Sequence, residues 1–229
     1  MPSRLELERA RLTDRVENGD PAWPAQLAIG MTIALNLALT KRVSVGPTWL
    51  VAAGEAVLLV ALIVVQPSRF TAVDKRHRRV ALSLIAIVSV GNIVSLALLV
   101  HYLIGGAKVG GHGLIVSGGV MWLNLVLLFG VWYWELDRGG PAARHVQEHA
   151  TVDFLFPQMD PDVLGRYTPD RWRPGFGDYL YTSLTNATAF SPTDTMPLTH
   201  TAKALMGLQS TTALLTIGLV VARAVNILG

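Results

Sequence analysis

The chain has 229 residues, of which 51% are apolar and 15% charged, against roughly 25% charged in soluble domains. With a mean hydropathy of +0.42, this is the composition of an integral membrane protein. Cysteine is absent, which excludes disulfides, thiolate metal sites and cysteine nucleophiles. The formal charge is +3 and the pI near 9.4. The basic residues sit in short stretches between apolar runs, which fits membrane topology better than a nucleic-acid-binding face, so no nucleic-acid partner is expected.

Residues 1–22 contain no apolar core and do not read as a cleavable signal peptide. Ser3 and Glu6 have capping-box spacing, and Leu5, Leu12 and Val16 share one face, so this segment is expected to form an amphipathic helix lying at the membrane interface. Five later runs approach the roughly 20 apolar residues a membrane-spanning helix needs: 23–40, 48–66, 80–104, 113–134 and 202–228. The first three make an N-terminal part over 23–104, and the last two belong to a second part over 113–229. Glu55 lies inside the second run and Arg223 near the end of the fifth, toward the same membrane face. They are expected to form an intramembrane charge pair, with a role for Glu55 in ion or proton passage, or an unpaired Glu55 snorkelling to the interface, as the alternatives. Asn36, Asn92, Asn124, Gln209 and Asn226 dot the runs and predict hydrogen bonds between helices.

The loops orient the chain. Arg4, Arg9, Arg11 and Arg15 precede the first run, and Arg69, Lys75, Arg76, Arg78 and Arg79 come after the second, whereas the opposite side carries Lys41, Arg42 and Lys108. This bias predicts a multi-pass protein of the cell membrane with a cytoplasmic N-terminus. Five spans then leave the C-terminus outside and the 135–200 loop in the cytoplasm.

At the end of the fourth run, Trp132, Tyr133 and Trp134 are expected to form an interfacial belt, with Glu135, Asp137 and Arg138 beyond it. The adjoining loop is rich in turn formers. Its His145-Val146-Gln147-Glu148-His149 fits the H-x-x-E-H zinc-peptidase pattern, but no glutamate occurs after Glu148 to complete the ligand set. A solvated loop helix is expected there, without metal, cofactor or catalytic role. No Ser-His-Asp order or phosphate-cradling glycine loop stands out, so the chain does not read as an enzyme.

From Phe176 the sequence turns apolar again as FGDYLYTSLTNATAF. About 15 residues are too few to span comfortably as a helix, and a segment that enters and turns back is expected instead. Asp178 can cap its start, Pro192 ends its helical potential, and Pro197 suits the first turn of the last span. The polar turn TNATAFSPTDTMP places Thr185, Asn186, Thr188, Ser191 and Thr193 where they could line a route, and Asp194 where it could cap the last helix.

The order span, short helix, polar turn, span resembles that of pore-loop potassium channels. Against their T-x-V-G-Y-G-D turn stand Thr188, Ala189, Phe190, Ser191, Pro192, Thr193 and Asp194, with Pro197 beyond. The first threonine, the aspartate and the later proline are kept, but both glycines are replaced. The resemblance therefore implies a pore-type architecture without potassium selectivity. The predicted loop enters from the cytoplasm, as in glutamate-receptor channels. Asp178-Tyr179-Leu180-Tyr181, Thr193-Asp194 and the stretch from Ala222 to Ile227 are also similar to bacterial integral membrane proteins of the DUF1345 type, a likeness that implies architecture and no activity.

The expectation is thus an all-α polytopic membrane protein with about five spans plus a re-entrant helix before the last. It is expected to act as a homo-oligomer in the lipid bilayer, passing an ion (a monovalent ion is the candidate) or a small solute. The alternative is a non-conducting scaffold or partner-binding protein.

Overall fold

The computed structural model describes residues 23–43, 75–104, 111–146, 151–160, 172–188 and 194–228, with Pro21, Val60 and Asp162 singly. Helices account for most of them. The long ones are α1 (Trp23–Val43), α2 (Lys75–Ile104), α3 (Gly111–Leu136) and α6 (His200–Leu228). The short ones are α4 (Pro141–Val146) and α5 (Phe176–Thr188). Two-residue strands β1 (Phe154–Leu155) and β2 (Met196–Pro197) pair antiparallel, Phe154 opposite Pro197 and Leu155 opposite Met196. The all-α expectation therefore misses one small ribbon. Pro197 sits in it, before the last helix rather than in that helix's first turn. The predicted second run, 48–66, and the N-terminal segment 1–22 lie outside the described residues, apart from Val60 and Pro21.

Two helices, α3 and α6, are long and apolar enough to cross a membrane, over Ile115–Gly139 and His200–Ala222. Shorter apolar stretches occur at Trp23–Leu35 in α1 and Ile85–Val94 in α2. The centre of the assembly is α3, which packs against α1, α2, α5 and α6. Its residues Val126 to Val131 are all buried, as expected of a helix that is apolar on every side. Cross-links fix the directions. Trp132 Nε1 donates to Ser89 Oγ at 2.9 Å, while the backbone of Gly118 faces Val220 so closely that no Cβ would fit there without moving the valine. Tyr133, near the other end of α3, is bonded to Gln209, so α6 runs antiparallel to α3. The end of the bundle where α3 finishes is its upper end.

The aromatic trio at this upper end is not an exposed belt. Tyr133 and Trp134 are fully buried, and Trp132 is half-buried. Tyr133 meets Phe129 and Phe154, and Trp134 meets Phe176 edge-to-face at 5.9 Å. The reason is the packing of residues 151–160 and 172–188 back over α3. It brings Phe154, Phe156, Phe176 and Tyr179 over the end of α3 and buries the rings in one cluster.

Candidate functional site

The short helix α5 lies antiparallel beside the upper half of α3. Gly130 makes room for it, since a Cβ there would stand 3.2 Å from the Leu180 Cα. Ser183 Oγ donates to Val126 O at 2.7 Å, and Trp122 Nε1 donates to Ala187 O at 3.2 Å. Trp122 is fourteen residues before Leu136, so α5 reaches about 21 Å down α3, to near its middle, at 1.5 Å per residue. From Asp194 the described chain is back at the upper end. Thr195 Oγ1 lies 3.1 Å from Thr182 Oγ1, and Met196–Pro197 pairs with β1 at the upper end. The segment goes in and returns to the side it left.

Its entry angle is set locally. Asp178 Oδ2 accepts from Gly175 N–H at 2.8 Å, and Asp178 N–H donates to Gly175 O at 3.1 Å. The expected capping role of Asp178 is realised in this reciprocal form.

A buried polar network joins α5 to its neighbours. Asn186 Nδ2 lies within hydrogen-bonding reach of Tyr133 Oη (3.2 Å), Met206 O (2.9 Å) and Gln209 Oε1 (2.8 Å). Tyr133 donates to Gln209 Oε1. Gln209 Nε2 in turn donates to Ser183 O at 2.9 Å and Ser183 Oγ at 2.7 Å. Tyr133, Ser183 and Gln209 are wholly inaccessible to solvent. In such surroundings an unpaired polar group would cost about 1–3 kcal/mol, so the completeness of the network matters more than any single bond.

The lower end of α5 is closed by donors from three helices. A helix leaves its last carbonyls without partners. Here Thr188 Oγ1 donates to Thr185 O at 2.7 Å, Ser210 Oγ to Asn186 O at 3.3 Å, and Trp122 Nε1 to Ala187 O. Ser210 Oγ also donates to Asn186 Oδ1 at 2.9 Å.

At the upper end a second cluster clamps the returning chain. Asp137 is fully buried. Its Oδ1 accepts from the N–H groups of Asp153 (2.9 Å) and Phe154 (3.3 Å), and its Oδ2 from the Tyr179 hydroxyl. Asp153 Oδ2 accepts from Arg138 N–H at 3.1 Å and its Oδ1 from Thr199 Oγ1 at 2.6 Å. Thr199 Oγ1 accepts from Ala202 N–H at 3.2 Å and so caps α6. Arg144 donates to the carbonyls of Trp134 and Asp137 and lies over the rings of Trp134 and Tyr179 at 5.8 and 5.0 Å. That geometry suits a cation at the negative end of α3. Burial pushes the Tyr179 phenol well above its ordinary range; Arg144 opposes this and Asp137 adds to it. Tyr179 therefore stays a neutral donor to the carboxylate.

Of the residues expected to line a route, Asn186 is turned into the protein, and Thr185 and Thr188 are half-buried. Thr185 bonds back to Tyr181 O and Thr182 O at 3.0 and 3.1 Å. Ser191, Thr193 and Glu55 lie outside the described residues, as does the Arg223 side chain. Asp194 is exposed and is not the cap of the last helix; Thr199, adjacent to His200, takes that role. Gln209 bonds between helices as expected, whereas Asn92 Nδ2 bonds Val88 O of its own helix at 3.0 Å. In the H-x-x-E-H stretch, α4 ends at Val146, and residues 147–149 lie outside the described residues. No three His, Asp or Glu side chains are grouped to hold a metal ion among the described residues.

No protein-family model matches the chain, and neither the curated proteins nor the solved structures give a match. Function has to be argued from the site itself. Sequence reasoning missed Asp153 and Ser183, and gave Tyr133 and Asp137 only a place at the interface. The available signal was Asp137 just past the end of α3, where a carboxylate has no favourable dipole and needs local donors.

Proposed function

We propose that the chain is a multi-pass protein of the cell membrane whose 111–229 part is a pore-loop-type module, and that copies of it pass an ion or small solute. The observation that carries this reading is the out-and-back course around α5, a half-length helix ending near the middle of α3 with its chain returned to the starting side. Inside a bilayer such a segment persists only when packed in protein or lining an aqueous cavity. On one side α5 is packed by α3 and α6, and on the other it exposes Tyr181 and Leu184. The negative end of its dipole lies at mid-depth, which favours a cation over an anion there. Asn186 and the carbonyls of residues 185–187 are already bonded, so the proposed route falls to half-buried Thr188 and to Ser191 and Thr193, which lie outside the described residues.

A second reading, a non-conducting scaffold, is favoured by that same internal satisfaction. Asn186, Ser183 and the carbonyls of 185–187 find partners within one subunit, which is what a purely structural half-helix needs.

Flux from reconstituted vesicles separates the two. The pore reading expects release of potassium or sodium above protein-free vesicles, altered in rate by Thr188→Val with assembly intact. Absence of potassium, sodium, chloride and proton flux from correctly folded wild-type protein would overturn it and leave the scaffold.

A further inference from the structure

A cavity of about 280 Å3 lies between α2, α3 and α6. On α3 it runs from Trp132 to Met121, and on α6 from Leu205 to Thr216. Eleven residues on each helix make it about 16 Å long, parallel to the helix axes. Most of its wall is aliphatic or aromatic, and among the described residues no charged side chain lines it. A charged occupant would lie unpaired against hydrocarbon, at a cost that excludes it. A dry apolar cavity of about 150 Å3 takes up benzene, with its six heavy atoms. In proportion, this one holds an uncharged molecule of about eleven heavy atoms. The rim residues Ile93 and Leu208 are exposed and apolar, which gives such a molecule a way in.

The wall has a polar corner at its upper end. Trp132 Nε1 donates to Ser89 Oγ, which itself donates to Ile85 O at 2.7 Å. Asn92 follows three residues further along α2, about 4.5 Å into the cavity. Its Nδ2 donates to Val88 O at 3.0 Å, and this bond to a carbonyl fixes which amide atom is the nitrogen. The Oδ1 is left as an acceptor that no donor meets among the described residues. Asn92 is half-buried and lines the cavity. At the lower end Thr212 and Thr216 donate to carbonyls of their own helix.

We infer that this cavity binds an uncharged aliphatic alcohol, its chain lying along α3 from Phe129 to Met121 and its hydroxyl donating to Asn92 Oδ1. Apolar burial supplies most of the affinity. The single hydrogen bond sets the direction of the chain and selects an alcohol over an alkane, by about two- to tenfold. A straight-chain alcohol such as 1-decanol has the required size. The site does not depend on conduction.

The test uses full-length protein in detergent and two photoreactive probes, 1-decanol with a mid-chain diazirine and decane with the same diazirine. Labelled residues are located by mass spectrometry, and half-saturating concentrations are read from the labelling yield. Saturable labelling by the alcohol is expected at Ile93, Leu125, Phe129 and Leu208, suppressed by excess 1-decanol. Asn92→Leu keeps the volume and removes the acceptor. It should raise the half-saturating concentration of the alcohol by about two- to tenfold and leave that of the alkane unchanged. Leu208→Trp, placed at the exposed rim, should weaken labelling by both probes. Unsaturable labelling spread over the outward-facing Val90, Leu214 and Leu215 in wild type would overturn the proposal. So would an alcohol concentration that Asn92→Leu leaves unchanged, because the groove would then hold any hydrocarbon chain without recognising a hydroxyl. Neither result bears on ion flux, so failure of the pore reading and failure of the alcohol site are distinguishable.

Discussion

Replacing Gln209 by leucine tests whether the buried network is one unit. The two side chains are close in size, so the main effect is on hydrogen bonding. Gln209 Oε1 accepts from Tyr133 and Asn186, and its Nε2 donates to Ser183. Asn186 keeps Met206 O, and Ser183 keeps Val126 O. The Tyr133 hydroxyl loses the only acceptor it is seen to use. Four interhelical bonds at about 0.6 kcal/mol each, plus an orphaned buried hydroxyl at about 1–3 kcal/mol, give a loss of about 3–5 kcal/mol. At about 2–4 °C per kcal/mol for a chain of this size, the melting temperature should fall by roughly 6–20 °C. The decisive variant is the pair. Tyr133→Phe removes the orphan, so Tyr133→Phe with Gln209→Leu should melt at or above Gln209→Leu alone. Thermal unfolding of the four proteins in one detergent measures this, and simple addition of the two single losses would refute a shared network.

Asp137→Ala should abolish most folded yield, because it strands two backbone N–H groups and the Tyr179 hydroxyl in the interior; Asp137→Asn should retain much of it, as measured by size-exclusion recovery. Thr199→Val should cost about 1–2 kcal/mol as a lost cap, whereas exposed Asp194→Ala should stay within about 0.5 kcal/mol, and melting curves rank them. The Tyr179 phenol is held above its ordinary value of 10.0, so its contribution is complete below pH 10 and is lost as pH rises toward the folded value. Melting temperature should therefore decline above pH 10 in wild type and less steeply in Tyr179→Phe; identical slopes would refute the assignment. The charge bias of the loops predicts that a cysteine introduced at Gly110 reacts with an impermeant thiol reagent in intact cells and one at Ser3 does not. The reverse labelling would invert the topology.

The long helices were legible because their apolar runs are uninterrupted and end at charges or glycines. The expected 80–104, 113–134 and 202–228 lie within α2, α3 and α6. The short helix α5 was legible from the brevity of its apolar run and from Pro192 after it. What composition could not reveal was direction. Asn186 in a polar turn reads equally well as facing a water-filled route or a neighbouring helix, and only the position of Gln209, some twenty residues on, decides that it faces inward. Tyr133 and Trp134 show the same ambiguity. An aromatic run at a helix end suits a membrane interface, but here a distant segment covers it, and that contact between residues 133 and 154 has no local trace. Thr199 was overlooked because Asp194 is the stronger capping residue in isolation, yet the β2 pairing places the helix start after it.

The closure of α5 by Trp122 and Ser210 also bears on how the protein is made. Synthesis delivers α5 before α6, so when α5 emerges, Gln209 and Ser210 do not yet exist. Until they arrive, Asn186 and the carbonyl of its own residue lack most of their partners, and water is the only substitute. The bonds of α5 to Val126, Trp122 and Asp137 can form first, but its buried amide network is expected to close only as α6 takes its place. A nascent chain stalled ahead of Gln209 should leave the α5 segment open to protease, and one extended through α6 should shield it.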